Sequence, residues 1–163
     1  MAHLCDLDME VSLALPGISH AKNIPITFVF SPHCYTRGLE EDEAPEIECG
    51  LIHDGPVHTP RYRVFDLERY QLSFQIKGLL KNLISKAGKV YEGNMNVFTT
   101  EVIANDGRRI NYVIFLKARK IKELKKLEVH VESAYPYDPA DPPFSRKKPQ
   151  GVVTHLTNKW VGR

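Results

Sequence analysis

Apolar and polar residues alternate along 9–15, MEVSLAL, until Pro16-Gly17 stops the run, so this segment is expected to form a strand with one buried face. Residues 26–30, ITFVF, are β-branched and aromatic, which predicts a second strand running directly into Ser31-Pro32-His33-Cys34-Tyr35-Thr36-Arg37-Gly38. Residues 61–65, RYRVF, read as a short strand leading to a helix, with Asp66 as its N-cap. Beyond Asp66, the residues Leu72, Ile76, Leu79, Leu80, Leu83, Ile84 and Ala87 recur at helical spacing on one face, and Gly88 is placed to end the helix. This predicts one main helix whose stripe faces the core. Residues 96–104 and 109–119 are strands joined at the hairpin turn Asn105-Asp106-Gly107. In 127–135, strict alternation puts Leu127, Val129, Val131, Ser133 and Tyr135 on one face and Glu128, His130 and Glu132 on the other. The expected order is β-β-loop-α-β-β-β. This is an α+β fold, with one main helix packed on a curved, mainly antiparallel sheet.

Length adds a bound: 163 residues fit a single domain. Residues 39–60 read as a long acidic, Pro- and Gly-rich loop. Residues 137–163 read as a proline-rich segment followed by a basic tail, a short strand or a docking tail around Trp160. No segment has the length of a membrane span, and the start lacks the pattern of a secretory leader. The three cysteines, Cys5, Cys34 and Cys49, are an odd number and fit a reducing, cytoplasmic setting better than a disulfide framework.

The net charge of +2 conceals segregation of sign. Residues 40–48, EEDEAPEIE, are acidic. Residues 108–126 carry Arg108, Arg109, Lys117, Arg119, Lys120, Lys122, Lys125 and Lys126 against the single acid Glu123. Such a stretch is either a footprint for a polyanion or a solvated lysine-rich hairpin that blunts edge pairing.

Two strand ends carry candidate chemistry. If the alternation of ITFVF continues, His33, Tyr35 and Arg37 share a face. The imidazole exchanges protons near neutral pH, and a guanidinium holds two phosphate oxygens. The competing reading is a histidine that satisfies loop backbone and an arginine paired with the acidic stretch. At the other end, Glu132-Ser133-Ala134-Tyr135-Pro136 places hydroxyls where a core strand turns polar, although strands often simply finish that way. Cys34, Cys49, His53 and His58 are metal-ligand types in one region, but they lack the short Cys-x₂₋₄-Cys knuckle of structural zinc sites, so no metal is assigned. Cys34 as a nucleophile is disfavoured because His33, its neighbour on a strand, would point to the opposite face. Neither common glycine-rich phosphate loop is present.

The segment 107–136, GRRINYVIFLKARKIKELKKLEVHVESAYP, resembles the C-terminal hairpin of the barnase/EndoU/colicin/RelE-like nucleases. Two long antiparallel strands end there in a Thr/Ser-Ala-aromatic-Pro step, here Ser133-Ala134-Tyr135-Pro136. The resemblance covers roughly residues 97–136, and the first sixty residues lie outside it. It implies a metal-independent, cofactor-free endoribonuclease of toxin or defence type. Such an enzyme turns the RNA 2′-hydroxyl onto the adjacent phosphate and is held in check by a protein inhibitor or antitoxin. Within that chemistry His33 would exchange the proton. Arg37, with Lys117 or Arg119, would hold the phosphate, and Ser133 and Tyr135 would position it. Tyr35, Thr36 and Arg109 would add substrate contacts. The alternative is a non-enzymatic module that binds nucleic acid or protein in host defence or anti-defence. The two differ in what they require: an enzyme needs His33, Arg37, Ser133 and Tyr135 to converge, and a binder needs only a continuous basic face.

Overall fold

The computed structural model describes residues 2–39, 52–54, 61–86, 88–91, 96–144 and 149–162, with the backbone alone at 2, 52–54 and 61. Its strands are β1 (Leu7–Leu13), β2 (Lys22–Phe30), β3 (Thr36–Gly38), β4 (Ile52–Asp54), β5 (Arg61–Phe65), β6 (Lys89–Tyr91), β7 (Asn96–Ile103), β8 (Arg109–Ile121), β9 (Lys126–Pro136) and β10 (Pro149–Gly151). The helices among the described residues are α1 (Leu67–Ser73), α2 (Ile76–Ser85) and α3 (Val152–Val161), with short 3₁₀ turns at Ala2–Leu4 and Pro32–Cys34.

Seven strands form one sheet in the order β1-β2-β9-β8-β7-β6-β10, and β3-β5-β4 form a small second sheet. The large sheet is antiparallel except where β2 runs parallel to β9, from Ile26↔Leu127 to Phe30↔Val131. It does not close into a barrel, and the architecture is α+β. Pro25 is tolerated in β2 because the pairing with β9 begins only at Ile26.

One sheet face carries the main core. Val11, Leu13, Ile24, Ile26, Phe28, Tyr112, Ile114, Leu116, Leu127, Val129 and Val131 pack there with Leu72, Ile76, Leu80, Leu83, Val152 and Leu156 of the helices. A smaller cluster of Val97, Val113 and Phe115 covers part of the opposite face, with Tyr135, Tyr137 and Phe144 packed against it. The proline-rich stretch after β9 thus returns over the sheet and shields it.

Four expectations about the elements are corrected. The main helix is broken: α1 ends at Ser73, and α2 begins at Ile76. Asp66 does cap α1, its carboxylate accepting from Arg69 N–H at 2.9 Å. Ala87 lies outside the described residues. Gly88 N–H closes the end of α2 on Leu83 O at 2.8 Å, so close that an added Cβ would stand 2.6 Å from Leu83 Cδ1. The second correction concerns the tail, which contains α3, a helix presenting Val152 and Leu156 to the core and closed by Gly162 at φ 84°. Third, 39–60 contains β4, and residues 40–51 and 55–60, with Cys49 and His58 among them, lie outside the described residues. Fourth, neither functional strand end alternates as expected, with consequences described next.

Candidate functional site: the strand-end junction and the open sheet face

SPHCYTRG is not an extended continuation of β2. Ser31 accepts through Oγ from His33 N–H at 3.2 Å, and Pro32–Cys34 form a single 3₁₀ turn before β3 begins. The turn replaces two-residue alternation with a tighter winding. Cys34 and Thr36 are therefore fully buried, while His33, Tyr35 and Arg37 are half-buried.

ESAYP also changes register. In the β8–β9 ladder, Leu116 pairs with Val131 and Phe115 with Ser133, which leaves Glu132 as an inserted residue, a β-bulge. The insertion moves every later side chain to the opposite face. Ala134, not Ser133 or Tyr135, continues the Leu127-Val129-Val131 core line. Tyr135 joins the opposite face and stacks on Phe115 at 5.6 Å between ring centroids.

Parallel pairing of β2 with β9 brings the two ends side by side. Ser31 N–H donates to Val131 O at 3.0 Å, and the Cys34 thiol faces the same carbonyl at 3.7 Å. Ser133 Oγ donates to His33 O at 3.5 Å. Tyr35 O accepts from Asp66 N–H at 3.1 Å, which ties the start of α1 to the same place.

The centre of this junction is Thr36. Its hydroxyl donates to Pro32 O at 2.9 Å and accepts from Arg63 Nε at 2.8 Å. Its carbonyl accepts from Arg63 Nη2 at 2.8 Å and from Arg69 Nη1 at 2.9 Å. The Arg69 guanidinium also lies over the Tyr135 ring, 4.6 Å from its centroid, and 3.6 Å from Asp66 Oδ2. Thr36 is thus fully buried and bonded on all sides within the fold. Arg37 directs Nη1 to Gly38 O at 3.1 Å.

Burial dominates the electrostatics here. It pushes the Cys34 thiol up to about 12, with Glu132 adding and Ser31 and Arg69 opposing, so Cys34 is a neutral thiol and no nucleophile. The Tyr112 phenol is raised by burial and by the neighbouring Cys34, and its hydroxyl has no hydrogen-bond partner among the described residues. Tyr135 is raised by its partial burial, against the pull of Arg69.

The remaining expected contacts lie elsewhere. Arg109, at the start of β8, is exposed and 3.7 Å from Glu101. Lys117 and Arg119 sit on the sheet face opposite the main core. Lys117 pairs across the ladder with His130, and Arg119 with Glu128. Arg119 Nη2 lies 2.5 Å from Glu128 Oε1, which also takes His130 Nε2 at 2.7 Å. Of the four residues expected to converge, the His33 backbone meets the Ser133 hydroxyl, Tyr135 lies under Arg69, and Arg37 directs a donor to Gly38 O; Arg109 stands apart from them.

Sequence reasoning missed Arg69 because attention to the apolar stripe left the polar side of the helix unread. Its signal was the Asp-x-x-Arg spacing from the N-cap. It also placed His130 and Glu128 on a separate face without assigning them chemistry. Among the described residues no group of three His, Cys, Asp or Glu side chains could hold a metal ion. His53 is described only as backbone in β4.

These features define a class: an α+β protein with an arginine- and hydroxyl-bearing junction where two parallel strands end beside a polar sheet face. The chain belongs to the YjaZ family, whose model matches residues 1–160. No curated protein and no solved structure matches it. Among the described residues no helix is long and apolar enough to cross a membrane.

Proposed function

We propose that the protein is a metal-independent endoribonuclease that cleaves RNA by attack of the 2′-hydroxyl on the adjacent phosphate. The supporting observation is the meeting of two segments a hundred residues apart: Ser133 Oγ against His33 O at 3.5 Å, with Arg69 laid over Tyr135 beside them. This reaction needs a proton acceptor, a proton donor and a cation near the phosphate, all held in place. His33 supplies the imidazole, and Ser133 and Tyr135 orient the phosphate. Arg69 takes the cationic role expected of Arg37. The long β8–β9 hairpin, with helices preceding it in the chain, agrees with the nuclease resemblance. That resemblance also points to a cytoplasmic toxin or defence protein restrained by an inhibitor.

The test is incubation of the purified chain with labelled RNA in EDTA. Fragments ending in a cyclic phosphate and a 5′-hydroxyl are expected, with cleavage about 10²–10⁴-fold slower in His33→Ala. Metal-dependent cleavage, or cleavage unaffected in both His33→Ala and Ser133→Ala, would overturn this reading.

One observation favours a second reading, a binding module without catalysis. Arg37, Arg63 and Arg69 all direct donors to backbone carbonyls of the fold. Salt-sensitive RNA binding with no cleavage would support it.

A further inference from the structure

The bulge at Glu132 has an effect beyond the junction: it puts Tyr135 on the same sheet face as His130. On β8, Tyr112, Ile114, Leu116 and Ala118 face the main core, so Val113, Phe115, Lys117 and Arg119 face the other way. On β9, Leu127, Val129 and Val131 face the core, so Glu128 and His130 lie with Lys117 and Arg119. Past the bulge, Tyr135 lies on Phe115 on this face too. A continuous row therefore runs from Arg119 and Glu128, through Lys117 and His130, to Phe115 and Tyr135, and ends under Arg69. Were β9 regular past Val131, with Glu132 paired in the ladder, Tyr135 would point into the main core.

The histidine in this row is held as a proton-transfer group must be. Glu128 can only accept, so the 2.7 Å contact at Nε2 carries the ring hydrogen there and leaves Nδ1 for a substrate proton. Arg119 grips the same carboxylate oxygen and fixes the carboxylate in turn. Hydrogen bonds from His130 and Arg119 hold Glu128 below the usual carboxylate range, so it stays an anion. The ring is about one-third exposed, with a side-chain accessibility of 34%, and Lys117 beside it is exposed and makes no ion pair among the described residues. On the β2 side of His130 this face carries Val29 and Thr27, the latter donating to Asp8 at 2.6 Å and lying 3.2 Å from Lys126 Nζ.

We propose that His130 is a catalytic residue of the ribonuclease reaction: it transfers a proton through Nδ1, with Glu128 as its positioning residue and Lys117 as a phosphate contact. The inference rests on the ribonuclease reading and deepens it. The reaction has two proton transfers, one from the attacking 2′-hydroxyl and one to the departing 5′-oxygen. A second imidazole beside a cation on the open face supplies the partner that His33 requires. Atoms balance: the 2′-oxygen bonds to phosphorus, the bond from phosphorus to the 5′-oxygen breaks, and one proton is taken up and one delivered.

The test uses the full chain and a labelled single-stranded RNA, with thermal unfolding as the folding control. His130→Gln is expected to lower kcat at least about 100-fold with Tm unchanged. Glu128→Gln should lower kcat with KM and Tm unchanged, because the imidazole loses the group that orients it; a purely structural role would lower Tm instead. Lys117→Ala should raise KM and lessen the salt slope of RNA binding by about 0.7. Wild-type rates in His130→Gln, with loss in His33→Ala, would overturn this assignment alone. Absence of cleavage by the wild type would overturn the ribonuclease reading and this assignment with it.

Discussion

The junction around Thr36 and the open face around His130 both depend on β9, a few residues apart, yet they hold polar groups in opposite ways. At the junction the innermost polar groups are dry, and Arg69 keeps only 19% of its side chain exposed. Thr36, Cys34 and Tyr112 are fully buried, and the arginines are fixed by backbone carbonyls. On the open face, Arg119 is 61% exposed and bonds a carboxylate, a partner that water can replace. Burial makes each hydrogen bond at the junction expensive to remove. Exposure makes each ion pair on the face cheap to remove and its groups available to a ligand. At the bulge β9 changes character: past it the side chains are held by hydrogen bonds and ring contacts within the fold, and before it those on the open face meet solvent.

The sharpest way to break this comparison is Arg69→Ala. It removes a donor to Thr36 O, the cover on Tyr135 and the partner of Asp66 together. Thr36 O keeps Arg63 as a donor, so urea unfolding should show a loss of about 1–3 kcal/mol, from one charged hydrogen bond and the contact with Tyr135. A loss below about 1 kcal/mol would mean that water reaches the site and that the junction is no drier than the open face.

The thiol offers a pH test of the same dryness. Cys34 is raised in the folded state, so the folded protein keeps its proton where the unfolded chain has lost it. This contribution is fully present below the ordinary thiol value of 9.0 and declines as pH rises toward about 12. At about 1.4 kcal/mol per pH unit, the loss approaches about 2 kcal/mol by pH ~10.5. Comparison with Cys34→Ala isolates it, since that variant should lack this part of the alkaline decline. A thiol reagent near pH 8 should modify the exposed Cys5 and spare Cys34 until the protein unfolds.

Much of the sheet was legible because β-branched, alternating runs have few alternatives. The strands at 96–104, 109–119 and 127–135, the turn at Asn105-Asp106-Gly107 and the Asp66 cap all stand within a residue or two of the expected places. Gly107 takes φ 84°, as that turn demands. The candidate site was less legible because one inserted residue decides it. Glu132 is as acceptable on the polar face of a regular strand as in a bulge, so periodicity could not tell the two apart. The clue was Ala134, the small apolar residue between Ser133 and Tyr135 that continues the core line beside Ile114. The break between α1 and α2 was hidden because the apolar stripe from Leu72 to Ile76 runs across it without losing phase. The helix α3 was written in Val152, Leu156 and Trp160 at four-residue spacing before Gly162, but the Val-Val start favoured a strand reading.

Tyr112→Phe sharpens the contrast with a smaller effect. The phenol is buried without a partner among the described residues, so deleting its oxygen removes a desolvated group and no hydrogen bond. Stability should stay level or rise by up to about 1 kcal/mol. A loss of more than about 1 kcal/mol would reveal a bound water or ligand on that oxygen.

The smallest expected effect lies on the open face, and its smallness is the point. Arg119→Ala deletes a guanidinium whose bonds run to one exposed ion pair with Glu128. Exposed pairs contribute about 0–1 kcal/mol, and Glu128 keeps a second partner in His130, so urea unfolding should shift by less than about 0.5 kcal/mol. The same substitution frees the carboxylate that orients His130. It should therefore lower the rate of RNA cleavage more than it disturbs stability. Arg69→Ala should lose both, stability through its bond to Thr36 O and rate through the missing cation. If Arg119→Ala destabilised the fold as much as Arg69→Ala, the open face would be a structural network like the junction, and its histidine would have no claim to be reserved for chemistry.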